Sequence, residues 1–155
     1  MNYLFDTSPL ADLFKYYYPN IFPSLWKNFD RMIADNEITS TREVFREIED
    51  RDDTLKNWAL QNPDLFVVPN AEEALFVAEI YKVAHFQQNI EQQKLYNGGK
   101  NADPFVIARA GILGIPVVTS EKFKPNAAKI PNICRHFQID CMNLEEFMEH
   151  QNWHF

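Results

Sequence analysis

Five acidic residues fall where carboxylates could do chemistry. Asp6 directly follows the apolar run Tyr3-Leu4-Phe5, Asp103 opens the segment that begins at Ala102, and Glu121 comes just after the run from Ile115 to Thr119. Glu43 and Glu47 stand at i and i+4, so on a helix they share one face, beside the Val44 and Ile48 stripe. Taken singly, each acid also fits a turn, a helix cap or a solvated face. Jointly they point to a site, because a carboxylate at the end of a buried strand is costly unless it is used or paired. Converging carboxylates repel one another and need a cation, and an all-oxygen donor set selects a hard ion, Mg²⁺ or Mn²⁺, over zinc. Such an ion can activate water, align it with a phosphodiester and stabilise charge on the leaving oxygen. The expected reaction is hydrolysis of a nucleic-acid backbone, with no histidine needed as base. His85, His136, His150 and His154 are scattered and form no metal-ligating motif.

The elements that must position these acids can be read from apolar spacing. Tyr3-Leu4-Phe5 predicts a short buried strand, and Pro9 suits the first turn of a helix with Thr7 or Ser8 as cap. That helix carries Leu10, Leu13, Phe14 and Tyr17 and stops at Pro19. A second helix is expected from Pro23 to Asn36, a strand from Ile38 to Ser40, and one long helix from Thr41 through Trp58 to Asn62-Pro63. Phe66-Val67-Val68 reads as a strand or an apolar connector. Ala71 to about Gln93 predicts a helix stopped by Asn97-Gly98-Gly99, and Ala102 to Leu113 another, ended by Gly114. Ile115 to Thr119 is the clearest strand, followed by a strand at Ile139 to Cys141 and a helix from Asn143 to His150. Apolar strands alternating with helices imply a mostly parallel sheet covered on both faces, a three-layer α/β/α sandwich. Ligands of such sheets bind at the carboxyl ends of the strands, which is where Asp6 and Glu121 fall.

At 155 residues the chain has the length of a single domain, and its 46% hydrophobic and 24% charged residues are ordinary for a folded protein. No apolar run is long enough to span a membrane, and no signal peptide is visible, so a cytoplasmic location is expected. Cys134 and Cys141 are expected to be free thiols. A net charge of −7 argues against coating nucleic acid with the whole surface. Between Lys94 and Arg135, however, seven basic residues face only Asp103 and Glu121. Lys100, Arg109, Lys122 and Lys124 in that stretch are the expected substrate-binding cations of a basic rim. Asn97-Gly98-Gly99-Lys100 lacks the spacing of a phosphate loop. Tyr16-Tyr17-Tyr18 and Trp26 are expected in the core or on a partner surface.

Several motifs carry a resemblance. Asp6 with Thr7 or Ser8 after the first strand, Val-Phe-Arg-Glu-Ile (44–48), Ala-Asp-Pro-Phe-Val-Ile-Ala (102–108) and Pro-Val-Val-Thr-Ser-Glu (116–121) occur in that order. Together they resemble the PIN domain, and the chain resembles the bacterial PIN-like group classed as DUF4411. Lys-Ile-Pro-Asn-Ile-Cys (129–134) and Asn-Leu-Glu-Glu-Phe (143–147) extend the likeness over nearly the whole chain. The resemblance implies an α/β/α fold and a Mg²⁺- or Mn²⁺-dependent ribonuclease, similar to the VapC toxins of toxin–antitoxin pairs. It places Asp6, Glu47 and Asp103 at the first three acidic positions and Glu121 where many PIN domains have Asp. Thr119 and Ser120 are then expected to orient water, and Thr7 to match the hydroxyl beside the first Asp. Glu43 stays open as the alternative to Glu47. The implied partners are RNA, an antitoxin and a second copy of the chain, with the exposed parts of the first two helices as contact surface. Two other readings stay open: a binding module with little catalysis, and a nuclease acting on DNA or on a particular structure.

Overall fold

The computed structural model describes residues 2–51, 53–91 and 100–155. Five strands, β1 (Tyr3–Phe5), β2 (Ile38–Thr41), β3 (Phe66–Val67), β4 (Val117–Val118) and β5 (Cys141–Met142), form one sheet in the order β3-β2-β1-β4-β5. Every pairing is parallel: Leu4 stands opposite Thr39 on one side and Val117 on the other, and Val118 pairs with Met142. β1 is central and wholly buried, as its unbroken apolar run predicts. The chain winds from β1 outward to β3, then returns to place β4 on the other side of β1. A crevice therefore opens between the carboxyl ends of β1 and β4, the point where the winding reverses.

The helices are α1 (Thr7–Tyr16), α2 (Pro23–Ala34), α3 (Arg42–Ile48), α4 (Thr54–Gln61), α5 (Ala71–Lys82), α6 (Asp103–Leu113), α7 (Ile130–His136) and α8 (Leu144–His150). Tyr3 and Phe5 point to one face of the sheet, where Phe29 of α2 and Phe147 of α8 meet them edge-on. Leu4 points to the opposite face. Its register partner Thr39 accepts a hydrogen bond from Arg109 of α6, so α6 covers that side, with α5 packed on it. Helices thus lie on both faces, and the expected three-layer sandwich is the fold. Among the described residues no helix is long and apolar enough to cross a membrane.

Several element boundaries differ from the sequence reading, each for a local reason. α1 starts at Thr7 with Asp6 as its N-cap residue, but the Asp6 side chain makes no capping bond and turns into the crevice. α2 stops at Ala34, because Asn36 takes a left-handed φ of 57° that no helix can continue through. The long helix from Thr41 is two helices: Asp53 caps α4 by accepting the Lys56 main-chain N–H at 3.1 Å, which starts a new helix on a new axis. α5 ends at Lys82, followed by a 3₁₀ turn at Ala84–Gln87 and helical residues 88–91. Its expected stop at Asn97-Gly98-Gly99 lies outside the described residues. β4 begins only after Pro116, which has no N–H to give a ladder. β5 is shifted to Cys141–Met142, and α7 was not anticipated from the spacing. Tyr16 and Tyr18 stand exposed, whereas Trp26 is buried and donates to the Tyr17 carbonyl at 2.6 Å. Both cysteines are free thiols.

Candidate active site

The carboxyl edge of the sheet gathers four of the predicted acids around one cleft of about 420 Å³. Asp6 is delivered by the last ladder bond of β1, its N–H donating to the Val118 carbonyl at 3.0 Å. Ser40 reinforces that strand end by donating to the Phe5 carbonyl at 2.7 Å. Asp6 is only 5% exposed, and its Oδ2 accepts from Thr119 Oγ1 at 2.9 Å and Ser8 Oγ at 3.3 Å. Glu47 reaches in from α3, where its Oε1 accepts from Thr7 Oγ1 at 2.7 Å. Asp103, also 5% exposed, sits in the first turn of α6. Glu121 arrives on the loop after β4, and its Oε2 accepts the Ile130 main-chain N–H at 2.8 Å, which anchors it to the start of α7.

All four carboxyls are pushed above the ordinary carboxylate range. Burial is the first cause for each. The negative charges of Glu121, Asp6 and Glu47 raise Asp103 further, and that of Asp6 raises Glu47 and Glu121. A cation would relieve this mutual repulsion, and an all-oxygen donor set suits Mg²⁺ or Mn²⁺. Among the described residues, no three carboxylate, imidazole or thiol groups close on one point as a ready cage. Mg²⁺ does not need one, since it is usually held by one or two carboxylates while keeping several waters.

The raised values have a consequence for stability. A folded carboxyl with a raised pKa holds protons that the unfolded chain has already released, so the folded state loses stability as pH rises through the folded pKa. The loss begins near 3.8 for Asp and 4.5 for Glu and ends above the raised folded values. In EDTA the melting temperature is therefore expected to fall as the pH rises above the ordinary carboxylate range, and Mn²⁺ is expected to recover most of the fall. Scanning calorimetry with and without chelator checks this; equal slopes in both conditions would count against a cation site.

Not all of the other predicted residues reach the cleft. Glu43 is turned away, held by Arg42 at 2.7 Å and Arg46 at 3.4 Å. It lines a neighbouring cavity of about 480 Å³ with Tyr81 and Lys100. That cavity is larger than the acidic cleft, but its one carboxylate is already paired with arginines, so the converging carboxyls lie in the smaller space. Lys100 pairs with Asp50 and donates to the Arg46 carbonyl at 3.0 Å, although its charge still reaches Glu47. Arg109 is at the opposite end of the sheet, bonded to Thr39 at 3.1 Å and 3.7 Å from the buried Glu73, so it is a packing cation and not part of a rim. Lys122 and Lys124 are exposed on the loop after Glu121. Thr119 holds Asp6, and Ser120 donates to Asp12 at 2.7 Å while its N–H meets Ser8 Oγ at 3.0 Å, closing the β4 loop onto α1.

Four residues at the site were not singled out from the sequence: Ser8 as a ligand of Asp6, Asp12, Arg51 and Asn89. Asn89 is 1% exposed and donates to Asp103 Oδ2 at 2.9 Å and to the Ala128 carbonyl at 3.1 Å. Its own oxygen accepts from Tyr81 at 3.2 Å and Asn101 at 2.9 Å. With both donors and its acceptor used, Asn89 fixes the Asp103 carboxylate from below. Only a buried amide within an amphipathic stretch could have hinted at it. Arg51 and Asp12 line the cleft itself.

The family described as "Domain of unknown function (DUF4411)" matches residues 3–155 of the chain. No curated protein matches it. Among solved structures, the chain is similar to one in the "Crystal structure of VapBC2 from Rickettsia felis bound to a DNA fragment from their promoter". That similarity has a TM-score of 0.48 at 15% identity and covers 92% of this chain and 98% of that one.

Proposed function

Because the chain belongs to the DUF4411 family, we propose that it is a divalent-metal-dependent endoribonuclease of PIN type, the toxin of a toxin–antitoxin pair. The observation that carries the nuclease reading is the set of four mutually repelling, largely buried carboxyls at the switch point of a parallel sheet. RNA as substrate, and an antitoxin as partner, follow from the likeness of the acidic motifs to those of VapC ribonucleases.

Asp6, Asp103, Glu47 and Glu121 would hold Mg²⁺ or Mn²⁺. When bound, the ion supplies the positive charge that acidifies water and polarises the phosphate. The chain's own part is orientation. Thr119 and Ser8 fix Asp6, Thr7 fixes Glu47, Asn89 fixes Asp103 and the Ile130 N–H fixes Glu121. Each carboxylate is thus set before substrate arrives, which removes reorganisation from the barrier.

The test is cleavage of a mixed tRNA and rRNA pool, beside matched DNA, in Mg²⁺, Mn²⁺ or EDTA. Discrete RNA fragments that need metal, and growth arrest on expression in bacteria, are expected. Cleavage that persists in EDTA would refute the metal-dependent mechanism, and preference for DNA would move the substrate class.

A further inference from the structure

We propose that Arg51 is the residue that grips the substrate phosphate in this cleft, and that Asp53 aims it. The inference rests on the nuclease reading above and adds a binding residue to it. The acidic cleft must accept a polyanion, yet its wall is made mainly of carboxylates. Arg51, on the connector between α3 and α4, is the cation on that wall among the described residues.

Lys122, Lys124 and Lys129 follow Glu121 in the chain but do not line the cleft, and the remaining cations nearby are already committed. Arg42 and Arg46 are paired with Glu43, and Lys100 with Asp50. Arg51 uses only one edge of its guanidinium. Its Nε donates to Asp53 Oδ2 at 2.7 Å, and Nη1 and Nη2 have no partner among the described residues. A half-used guanidinium is the geometry suited to a phosphate, which takes two parallel N–H donors.

Asp53 is itself fixed. Its Oδ1 caps α4 by accepting the Lys56 N–H, while Oδ2 holds Arg51. The Arg51 main chain is pinned as well, its N–H donating to the Ile48 carbonyl at 2.9 Å. The break between α3 and α4, which the apolar spacing did not predict, therefore has a use: it brings a cation back over the acids one turn beyond Glu47. Arg51 would contact a non-bridging oxygen of the RNA backbone, and Asp53 is a positioning residue that touches no substrate.

The experiment uses the full chain and a fluorescein-labelled, mixed-sequence RNA oligonucleotide. Binding is read by anisotropy in Ca²⁺, cleavage in Mn²⁺, and Mn²⁺ affinity by calorimetry. Arg51→Met is expected to weaken RNA binding and kcat/KM by about 10- to 100-fold, the range of a lost charge-assisted contact. Its Mn²⁺ affinity and melting temperature should stay at the wild-type values, and Arg51→Lys should recover part of the loss. Asp53→Ser keeps a capping oxygen, so it should retain α4 while losing RNA affinity through a misdirected Arg51. Lys82→Met, which removes an exposed cation remote from the cleft, is the charge-matched control. Arg51→Met within twofold of that control would overturn the inference and leave the nuclease reading standing. A wild-type protein that binds RNA through Arg51 without cleaving it would support the inference and overturn the catalytic reading. Neither binding nor cleavage by the wild type would overturn both.

Discussion

Asp103→Asn is expected to lower RNA cleavage by at least about 10³-fold, equivalent to about 4 kcal/mol of barrier, while raising the melting temperature of the metal-free protein. Both effects come from one property. Asp103 is buried and raised by its burial, then by Glu121, Asp6 and Glu47. Asparagine keeps the shape and can still accept the Asn89 hydrogen bond through its carbonyl oxygen, so the fold does not pay for the change. It removes a charge that three neighbours repel, which relieves the apo protein, and it removes an anionic ligand, which disables the loaded one. Activity assays in Mn²⁺ and calorimetry in EDTA test the two halves. A variant as active as the parent, or less stable than it in EDTA, would contradict the acid-cluster reading. Asp6→Asn should lose activity similarly, with less gain in stability, because Thr119 and Ser8 already compensate the Asp6 charge.

Phe147→Ala should have the largest effect on stability, a loss of about 3–5 kcal/mol. Phe147 is fully buried and lies edge-on to Tyr3 at 4.9 Å, Phe5 at 5.0 Å and Trp153 at 5.5 Å. The deletion would leave a cavity against the central strand and remove three aromatic contacts. Because β1 ends in Asp6, the same change should also loosen the site. Urea unfolding at fixed pH measures the first effect and Mn²⁺ affinity the second. Phe147→Leu, which keeps most of the volume, should recover more than half of the stability. A loss below about 1.5 kcal/mol for the alanine variant would mean that α8 collapses into the gap.

The ease with which elements could be read followed how locally each was determined. β1 and the parallel sheet were legible because a strand buried on both faces must be apolar throughout. α8 was legible because Asn143 and Glu146 form a capping box, a purely local device. The break before α4 was not: Asp53 caps it, but Glu49-Asp50-Arg51 continues in residues that a helix also tolerates. β4 and β5 shortened or shifted because strand limits depend on the partner's ladder, as when Val117 bonds the Asp140 carbonyl at 2.9 Å.

The same division holds for the site. The sequence by itself offered the candidate donors: Asp6 and Glu121 follow apolar strands, whose carboxyl ends meet at one edge of a parallel sheet, whereas the place of Asp103 depended on how its helix packs. It also determined the order of the acids, on which the family likeness depends. Only the tertiary structure separated Glu47 from Glu43. The two share a helix face, so spacing cannot rank them; what does is that one turn along α3 brings Glu47 to Thr7 and leaves Glu43 between two arginines. Only the tertiary structure sent Arg109 to the far end of the sheet and brought Arg51 to the cleft, because charge order along a chain carries no information about which end of a strand each cation reaches once helices run back antiparallel to it.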